Sequence, residues 1–542
     1  MSAAPAPVAA FDPTRPLGPG ITVLEASAGT GKTHTVASLV VSEVAEGRPL
    51  EDVLVVTFTR RATGTLRERV WQRLASAVAA LDPARADQPT DALLAHLHRG
   101  PAHEMALRRA RLVRALADFD SATIATTHGF CQQVLASLGV AGDAETGLEL
   151  VEDVGSLVEE AVDDLFIRRF ASSGEVLFSR ASAARLAATV VANPDAHIAP
   201  VDSGFEEAKV RQRFAGTVRR RLSEQKRRAR MVTYDDLLGR LATSLDDPTR
   251  GGLVAERLRR RFGLAVIDEF QDTDSVQWRI LRAAFGSDAS RLVLVGDPKQ
   301  AIYAFRGGDV HAYRDATRGA RRLGLFESWR ADQPLLDGLD AYFAGAWLGG
   351  PDIAHRPLRA RPGAEARRLL GPGAGAPLTV RILDRELGMV ARTPSGYARK
   401  DSARSLLAGD VAGEAVRLLT SATTIVERDG SGADVAPPRP LVSGDLAVLV
   451  RRHRDAEMVR QALHEVGVPA VVHGGAGVLS TDAAEAWLVL LRAIEQPASA
   501  PRARAVASGP FIGWRAADLA TASDEALESV AGRIHDLSLI HI

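Results

Sequence analysis

Three short stretches of this chain carry residues of the type and order that hold and cleave a phosphate ester. In the first, Ala26, Ser27, Ala28, Gly29, Thr30, Gly31, Lys32 and Thr33 run consecutively. Glycines at 29 and 31 let a turn aim its backbone N–H groups at phosphate oxygens. Lys32 reaches the β- and γ-phosphates, and the Thr33 hydroxyl is a ligand for Mg²⁺. Ala26 stands where the simple pattern has Gly. The bland reading, a glycine turn before a helix, is weakened by the lysine itself. The 67 basic residues include only Lys32, Lys209, Lys226, Lys299 and Lys400 as lysines, so one inside a Gly-rich loop is unlike background.

In the second stretch an apolar run, Leu264 to Ile267, ends in Asp268 and Glu269. A carboxylate pair at the carboxyl end of a buried strand lies where open α/β sheets bind ligands. Asp268 would hold Mg²⁺, directly or through water, and Glu269 would orient and deprotonate the attacking water. Alone, such a pair is more often a solvated turn; behind a phosphate loop it reads as catalytic. The third stretch, Leu292 to Gln300, again ends a strand in a polar loop. Gln300 there could hydrogen-bond both a γ-phosphate oxygen and the lytic water, where by itself it would be a surface amide. Arg330, at the junction of two α/β halves, could stabilise the charge on a transferring phosphoryl group as a finger supplied in cis.

These residues need a parallel sheet to bring them together. Ile21 to Leu24 reads as a buried strand feeding the lysine loop, and the following helix shows apolar Val36, Leu39, Val40 and Val44 before stopping near Gly47. Val53 to Phe58, Ala122 to Ala125, Leu264 to Ile267, Leu292 to Val295 and Leu323 to Phe326 repeat the pattern of short apolar runs between helices. The fold class predicted is α/β: a P-loop domain on a parallel sheet with an inserted helical subdomain, then a partial second α/β domain. Residues 1–20 read as an N-terminal arm. Residues 21–130 and 257–330 form the first α/β domain, 131–256 the helical insertion and 331–500 the partial second domain. Residues 501–542 read as the start of a further helical insertion, cut short. Strands of the second domain are expected at 378–383, 446–450 and 470–472.

The bulk numbers fit. At 542 residues the chain needs two to four domains, and 46% apolar with 25% charged residues is a globular composition. Net charge is zero, so no global field draws it to nucleic acid; local grooves must do so. A single cysteine, Cys131, excludes an internal disulfide and suits a reducing cytoplasm. Neither a signal peptide nor a run of about 20 apolar residues is present, so a cytoplasmic protein with no membrane partner is expected.

Taken in order, the motifs resemble the UvrD/Rep group of superfamily 1 helicases, and within it the RecB-like subunits of helicase-nuclease complexes. The resemblance is carried by Glu25 to Thr33, Val56 to Ala62 with Arg67, Thr126 to Cys131, Asp268 to Asp272 and Gly296 to Gly308. Leu446 to Arg451 and Gly467 to Pro469 resemble the opening of the second motor domain. The resemblance implies that the first α/β domain is a RecA-like P-loop motor domain and the second a partial RecA-like domain, with ATP and Mg²⁺ as cofactors, ATP between the motor domains, single-stranded DNA across their top, and 3′-to-5′ translocation. It implies duplex DNA ends as substrate and RecC- and RecD-like partner subunits in double-strand break repair.

Matching DNA contacts are Thr57, Phe58, Thr59, Thr127, His128, Phe130, Tyr303 and Phe305. Hydroxyls and backbone N–H groups hold phosphates, and aromatic faces stack on any base. Ordinary core packing remains open for Phe130, Tyr303 and Phe305, as does a structural role for His128. The basic run Arg219 to Arg230 is a solvated helix face or a contact to duplex DNA or a partner. No Gln upstream of the lysine loop reads adenine; a segment resembling that of RecB-like chains, Phe11 to Gly20, stands there instead. Neither the later motor motifs nor the nuclease metal site finds a match. An AddA-like helicase and a motor-inactive piece that only binds nucleotide are therefore the competing readings.

Overall fold

A computed structural model describes residues 8–84, 91–138, 149–151, 153–170, 176–194, 196–200, 204–303, 308–350, 353–384, 388–429, 433–474 and 477–539. Two compact units divide the chain after Arg367.

The first unit is built on a sheet of seven parallel strands. In chain order β1 is Ala9–Ala10, β2 Gly20–Ala26, β3 Val53–Thr57 and β4 Thr123–Thr126. A short outlying pair follows, β5 Glu149–Leu150 and β6 Met231–Val232, and then β7 Leu264–Ile267, β8 Arg291–Gly296 and β9 Arg321–Leu325. The sheet order is β1-β9-β2-β8-β7-β3-β4. Alternate residues of one strand enter different cores: Leu54 and Val56 of β3 face one side, Val53 and Val55 the other. Helices α1 Lys32–Ala45, α2 Arg60–Ala80, α3 Ala92–Leu97 and α4 Ala102–Ala117 cover the second side. Burial on both faces is why these strands read as unbroken apolar runs.

After β4 come α5 Thr127–Leu138, α6 Gly155–Phe170, α7 Arg180–Ala192, α8 Glu206–Arg228, α9 Tyr234–Asp246 and α10 Gly251–Arg261. Only α6, α7 and α8 have a core of their own, around Val162, Phe178, Ala187 and Phe214. Helices α5, α9 and α10 pack on the sheet with α11 Ser275–Phe285 and α12 Val310–Thr317, through Phe130, Leu241, Leu258, Trp278 and Ala312. The independently packed insertion is thus narrower than 131–256, because the apolar stripes of α9 and α10 belong to the motor core. A Thr233–Asp236 capping box starts α9, and Lys226 Nζ binds Asp236 at 2.6 Å, fastening the insertion's last long helix to it.

Two further departures concern the ends of the first domain. Residues 8–20 are no free arm: β1 pairs with β9, Phe11 N–H donates to Gly324 O at 2.9 Å, and Leu17 is buried. The domain also continues past Arg330. Strand β10, Glu327–Ser328, pairs with β11, Arg359–Ala360, across helix α13, Gln333–Phe343.

In the second unit the expected strands at 378–383, 446–450 and 470–472 are not formed. Its sheet is a small antiparallel one, β12 Leu369–Leu370, β13 Thr424–Ile425 and β14 Arg439–Pro440. Leu449 and Val471 are 96% and 97% exposed. A buried strand needs hydrogen-bonding neighbours, and among the described residues none pairs with these segments. Helices α14 Lys400–Thr420 and α15 His453–Glu465 pack together, as do α16 Asp482–Glu495, α17 Ala500–Ser508 and α19 Asp524–Leu539, with α18 Ala516–Thr521 between the last two. Among the described residues, no helix is long and apolar enough to cross a membrane.

Cys131 lies on α5 with no exposed surface, and burial pushes its thiol up to about 12. Only the thiolate reacts, so alkylation of native protein at pH 8 should run at least about 10³-fold slower than in urea. As the sole cysteine it reports opening of this core; labelling at the denatured rate would refute the packing.

Candidate nucleotide site and nucleic-acid interface

Because the strands are parallel, the loops that follow β2, β3, β4, β7 and β8 all emerge at one edge of the sheet. Sequence-distant groups meet there. Gly29 and Gly31 have φ of 78° and 82°, in the left-handed region that glycine tolerates. Thr30 closes the turn, its N–H and hydroxyl both donating to Ser27 O. Helix α1 starts at Lys32 with no side-chain cap, so its first N–H groups and dipole are presented by the turn. Ala26 is buried at the end of β2.

Lys32 Nζ lies 2.6 Å from Glu269 Oε2 across 237 residues of sequence, with the lysine side chain 12% exposed. Gln271 Nε2 donates to the same oxygen at 2.7 Å, and its Oε1 accepts the Asp297 N–H at 3.0 Å. Gly296 is required for this contact, since a Cβ there would meet Gln271 Oε1 at 2.6 Å. Glu269 itself holds φ 50° and ψ 43°, rare for a residue with a side chain and costing about 1–2 kcal/mol. Its N–H is thereby turned onto Asp268 Oδ1 at 2.9 Å.

Two carboxyls here are poorly compensated. Burial first, then the Glu269 charge, raises Asp268 to about 6 against a backbone hydrogen bond and Lys32 that lower it. Asp272 is raised to about 6 by the same two causes, and its Oδ1 is buried without a hydrogen-bond partner among the described residues. Since both folded values exceed the ordinary 3.8, their ionisation between about pH 4 and pH 6 works against the folded state. A divalent cation would offset that cost, and carboxylate oxygens suit a hard ion such as Mg²⁺. An uncapped helix start with a lysine suits the phosphates.

Gln300 Nε2 donates to Asp297 Oδ2 at 2.8 Å, and Lys299 Nζ binds Asp297 Oδ1 at 2.8 Å. Gln300 is therefore tied to the loop after β8, which Gln271 connects to Glu269. The Arg330 strand lies over the lysine loop: Trp329 N–H donates to Gly29 O at 2.7 Å, and a Cβ on Gly29 would fall 2.7 Å from Arg330 Cβ. Arg330 is placed within the first unit, 37 residues short of the division after Arg367.

The residues matched to nucleic-acid contacts divide. Phe58 and Tyr303, both half-buried, pair with ring centroids 5.5 Å apart. Thr59 is exposed and caps α2 by accepting the Ala62 N–H. His128 meets the Tyr234 ring edge-on at 5.3 Å, and burial lowers its pKa although Asp235 and Asp274 pull the other way. Phe130, by contrast, is 1% exposed between Phe262 and Phe285, so it is a core residue and not a base-stacking one. The Thr57 hydroxyl is likewise buried, bonded to Thr63 Oγ1 at 2.6 Å and facing Thr59 O. Thr127 is 7% exposed at the start of α5. Phe305 lies outside the described residues.

Gln271, Asp272, Asp297 and Trp329 escaped the sequence reading as site residues. Gln271 and Asp272 follow the acidic pair after Phe270, so two polar side chains buried in the 3-10 turn Phe270–Asp272 are the available signal.

The family description "UvrD/REP helicase N-terminal domain" matches residues 12–320. The RecBCD enzyme subunit RecB of Mycolicibacterium smegmatis is 41% identical over 523 residues, covering 95% of this chain and 46% of that protein. The Escherichia coli RecB subunit is 26% identical over 650 residues, covering 95% and 53%. The ATP-dependent DNA helicase UvrD2 of Mycobacterium tuberculosis is 27% identical over 483 residues, covering 87% and 55%. The chain thus spans about half the length of the curated relatives it matches. Spanned over more than half its length by that family and similar to RecB subunits almost throughout, the chain belongs to the UvrD/REP helicases and is RecB-like within them.

Proposed function

We propose that this chain is the ATP-hydrolysing motor part of a 3′-to-5′ DNA helicase, working as the RecB-like subunit of a helicase-nuclease with RecC- and RecD-like partners on duplex ends. The 2.6 Å approach of Lys32 to Glu269 is the observation that carries it, because it joins the phosphate loop to the acidic strand end. In this reading Ala26 to Thr33 wrap the triphosphate, and Lys32 moves from Glu269 to the β- and γ-phosphates. Glu269, released, accepts a proton from the attacking water. Asp268 and Thr33, with Asp272 behind them, would hold Mg²⁺, which supplies charge neutralisation of the phosphates. Arg330 stabilises the equatorial oxygens during transfer.

The link to DNA is short. Gln300 and Tyr303 share one loop, in which Ile302 N–H donates to Gln300 O at 2.8 Å. A shift at Asp297 and Gln300 when the γ-phosphate leaves is thus three residues from the ring that pairs with Phe58. Tyr303 and Phe58 would stack on bases while Thr59 and His128 face the backbone.

The test is unwinding by the full protein of duplexes carrying a 3′ or a 5′ single-stranded tail, with ATP turnover followed in parallel. Preference for the 3′ tail and stimulation of turnover by single strands are expected; turnover indifferent to DNA would refute the motor reading. Phe58→Ala or Tyr303→Ala should each weaken single-strand binding by about 1–3 kcal/mol with little change in folding. Phe130→Ala should instead cost about 3–5 kcal/mol of stability. Comparable DNA affinity in all three variants and wild type would remove the aromatic track. The exposed, unpaired segments at 446–450 and 470–472 favour a second reading for the 542-residue chain alone, that it binds nucleotide without unwinding.

A further inference from the structure

Glu25 directly precedes the phosphate loop, and the mechanism above gives it no part. Its side chain is 12% exposed and is gripped by two arginines from different elements. Arg322 of β9 donates Nε to Oε1 at 2.6 Å and adds a second guanidinium N–H to the same oxygen. Arg356 Nε lies 3.3 Å from Oε2. Glu25, Ser27, Lys299, Arg322 and Arg356 line one pocket beside the loop. The buried Tyr313 side chain feels Glu25, Arg322, Asp297 and Arg356 together, so these charges form one group.

Arg356 stands three residues before β11. The Arg359 and Arg361 N–H groups donate to Phe326 O and Ser328 O, so β11 holds β10, the strand that leads two residues on to Arg330. That strand is consequently fastened to the phosphate loop twice. One tether is the Trp329 N–H on Gly29 O; the other runs from Glu25 through Arg356 to β11 and β10. Hydrogen bonds between a carboxylate and two guanidiniums are charge-assisted and directional, which suits a fixed spacing.

We infer that Glu25 is a positioning residue for phosphoryl transfer: through Arg322 and Arg356 it sets how Arg330 is held over the phosphate loop, without touching ATP. The inference rests on the role proposed for Arg330. A positioning charge acts on the transition state more than on the bound ground state, so its loss lowers kcat and spares KM.

The test is Glu25→Gln in the full protein, alone and combined with Arg330→Ala. The amide keeps the shape and removes the charge shared by the two arginines. Turnover at saturating single-stranded DNA should fall about tenfold, with KM for ATP and fluorescent-nucleotide affinity within about twofold. In the Arg330→Ala background the same change should cost less than about twofold, the non-additivity of residues acting as a unit. Independently of activity, hydrogen exchange of nucleotide-free Glu25→Gln should quicken about tenfold at the Trp329, Arg359 and Arg361 amides. Arg330→Ala leaving turnover unchanged would overturn the role of Arg330 and the catalytic half of this inference with it. A drop in Arg330→Ala with Glu25→Gln unaffected, or fully additive losses, or unchanged exchange, overturns the inference alone. A parallel rise in KM and fall in melting temperature would mark Glu25 as structural and likewise overturn it.

Discussion

Glu269→Gln is expected to lower DNA-stimulated ATP turnover about 10³-fold while nucleotide binds at least as tightly as before. The substitution keeps the volume and the Gln271 contact, since an amide oxygen still accepts the Gln271 N–H at the position now 2.7 Å away. What disappears is the group proposed to take the proton from water, together with the charge that holds Lys32 at 2.6 Å. Wild-type enzyme must give up that ion pair to bind phosphate; the variant does not, so its affinity has no reason to fall. Single-turnover hydrolysis and a fluorescent-nucleotide titration separate the two effects. A variant within about tenfold of wild-type turnover would show that another group activates the water. Equal losses of affinity and rate would mean that Glu269 serves the fold of the site instead.

Much of the site was legible because the chemistry is local in sequence. The phosphate loop, the acidic pair and the polar loop after β8 are each a strand followed by residues that only one task requires. Their order along the chain predicts that a parallel sheet brings them to one edge. Contacts made across strands were not legible. Nothing in the spacing of Gln271 and Asp297 says that one side chain joins them, because that depends on β7 and β8 being neighbours with Gly296 leaving room. Phe130 shows the opposite limit. Its place in a motif sets it beside Phe58 among the DNA contacts with core packing left open, and a helix beginning at Thr127 turns that ring inward while the loop after β3 leaves Phe58 half-buried.

Domain limits failed for a related reason. Composition cannot tell a helix that closes its own bundle from one that lies on the sheet, and α9 carries the same apolar periodicity either way. The division after Arg330 rests on strand candidates that restart beyond it, whereas two-residue strands β10 and β11 bind the following stretch to the first unit. Strands of the second unit were read from apolar runs at 446–450 and 470–472. An apolar run specifies a strand only when partner strands exist to pair with it, and among the described residues none does.

Lys32→Ala is expected to reduce kcat/KM for ATP by about 10³-fold, close to 4 kcal/mol of lost transition-state stabilisation. The lysine is 12% exposed, so its charge acts on phosphate oxygens with little screening from water. Lys32→Arg should rescue little, because a planar guanidinium is bulkier than the ammonium that the turn between Gly29 and Thr33 is shaped around. Removal also changes the carboxylates. Lys32 lowers both Asp268, after the Glu269 N–H, and Asp272 against burial, so without it both shift further up. Protonated carboxyls bind a divalent ion poorly, so the acid limb of the residual activity should move to higher pH than in wild type. Combining Lys32→Ala with Glu269→Gln should cost much less than the product of the separate losses, since the two side chains serve one step. Independent, multiplying losses with an unmoved acid limb would place Lys32 and the acidic cluster in different chemistry, despite their 2.6 Å approach.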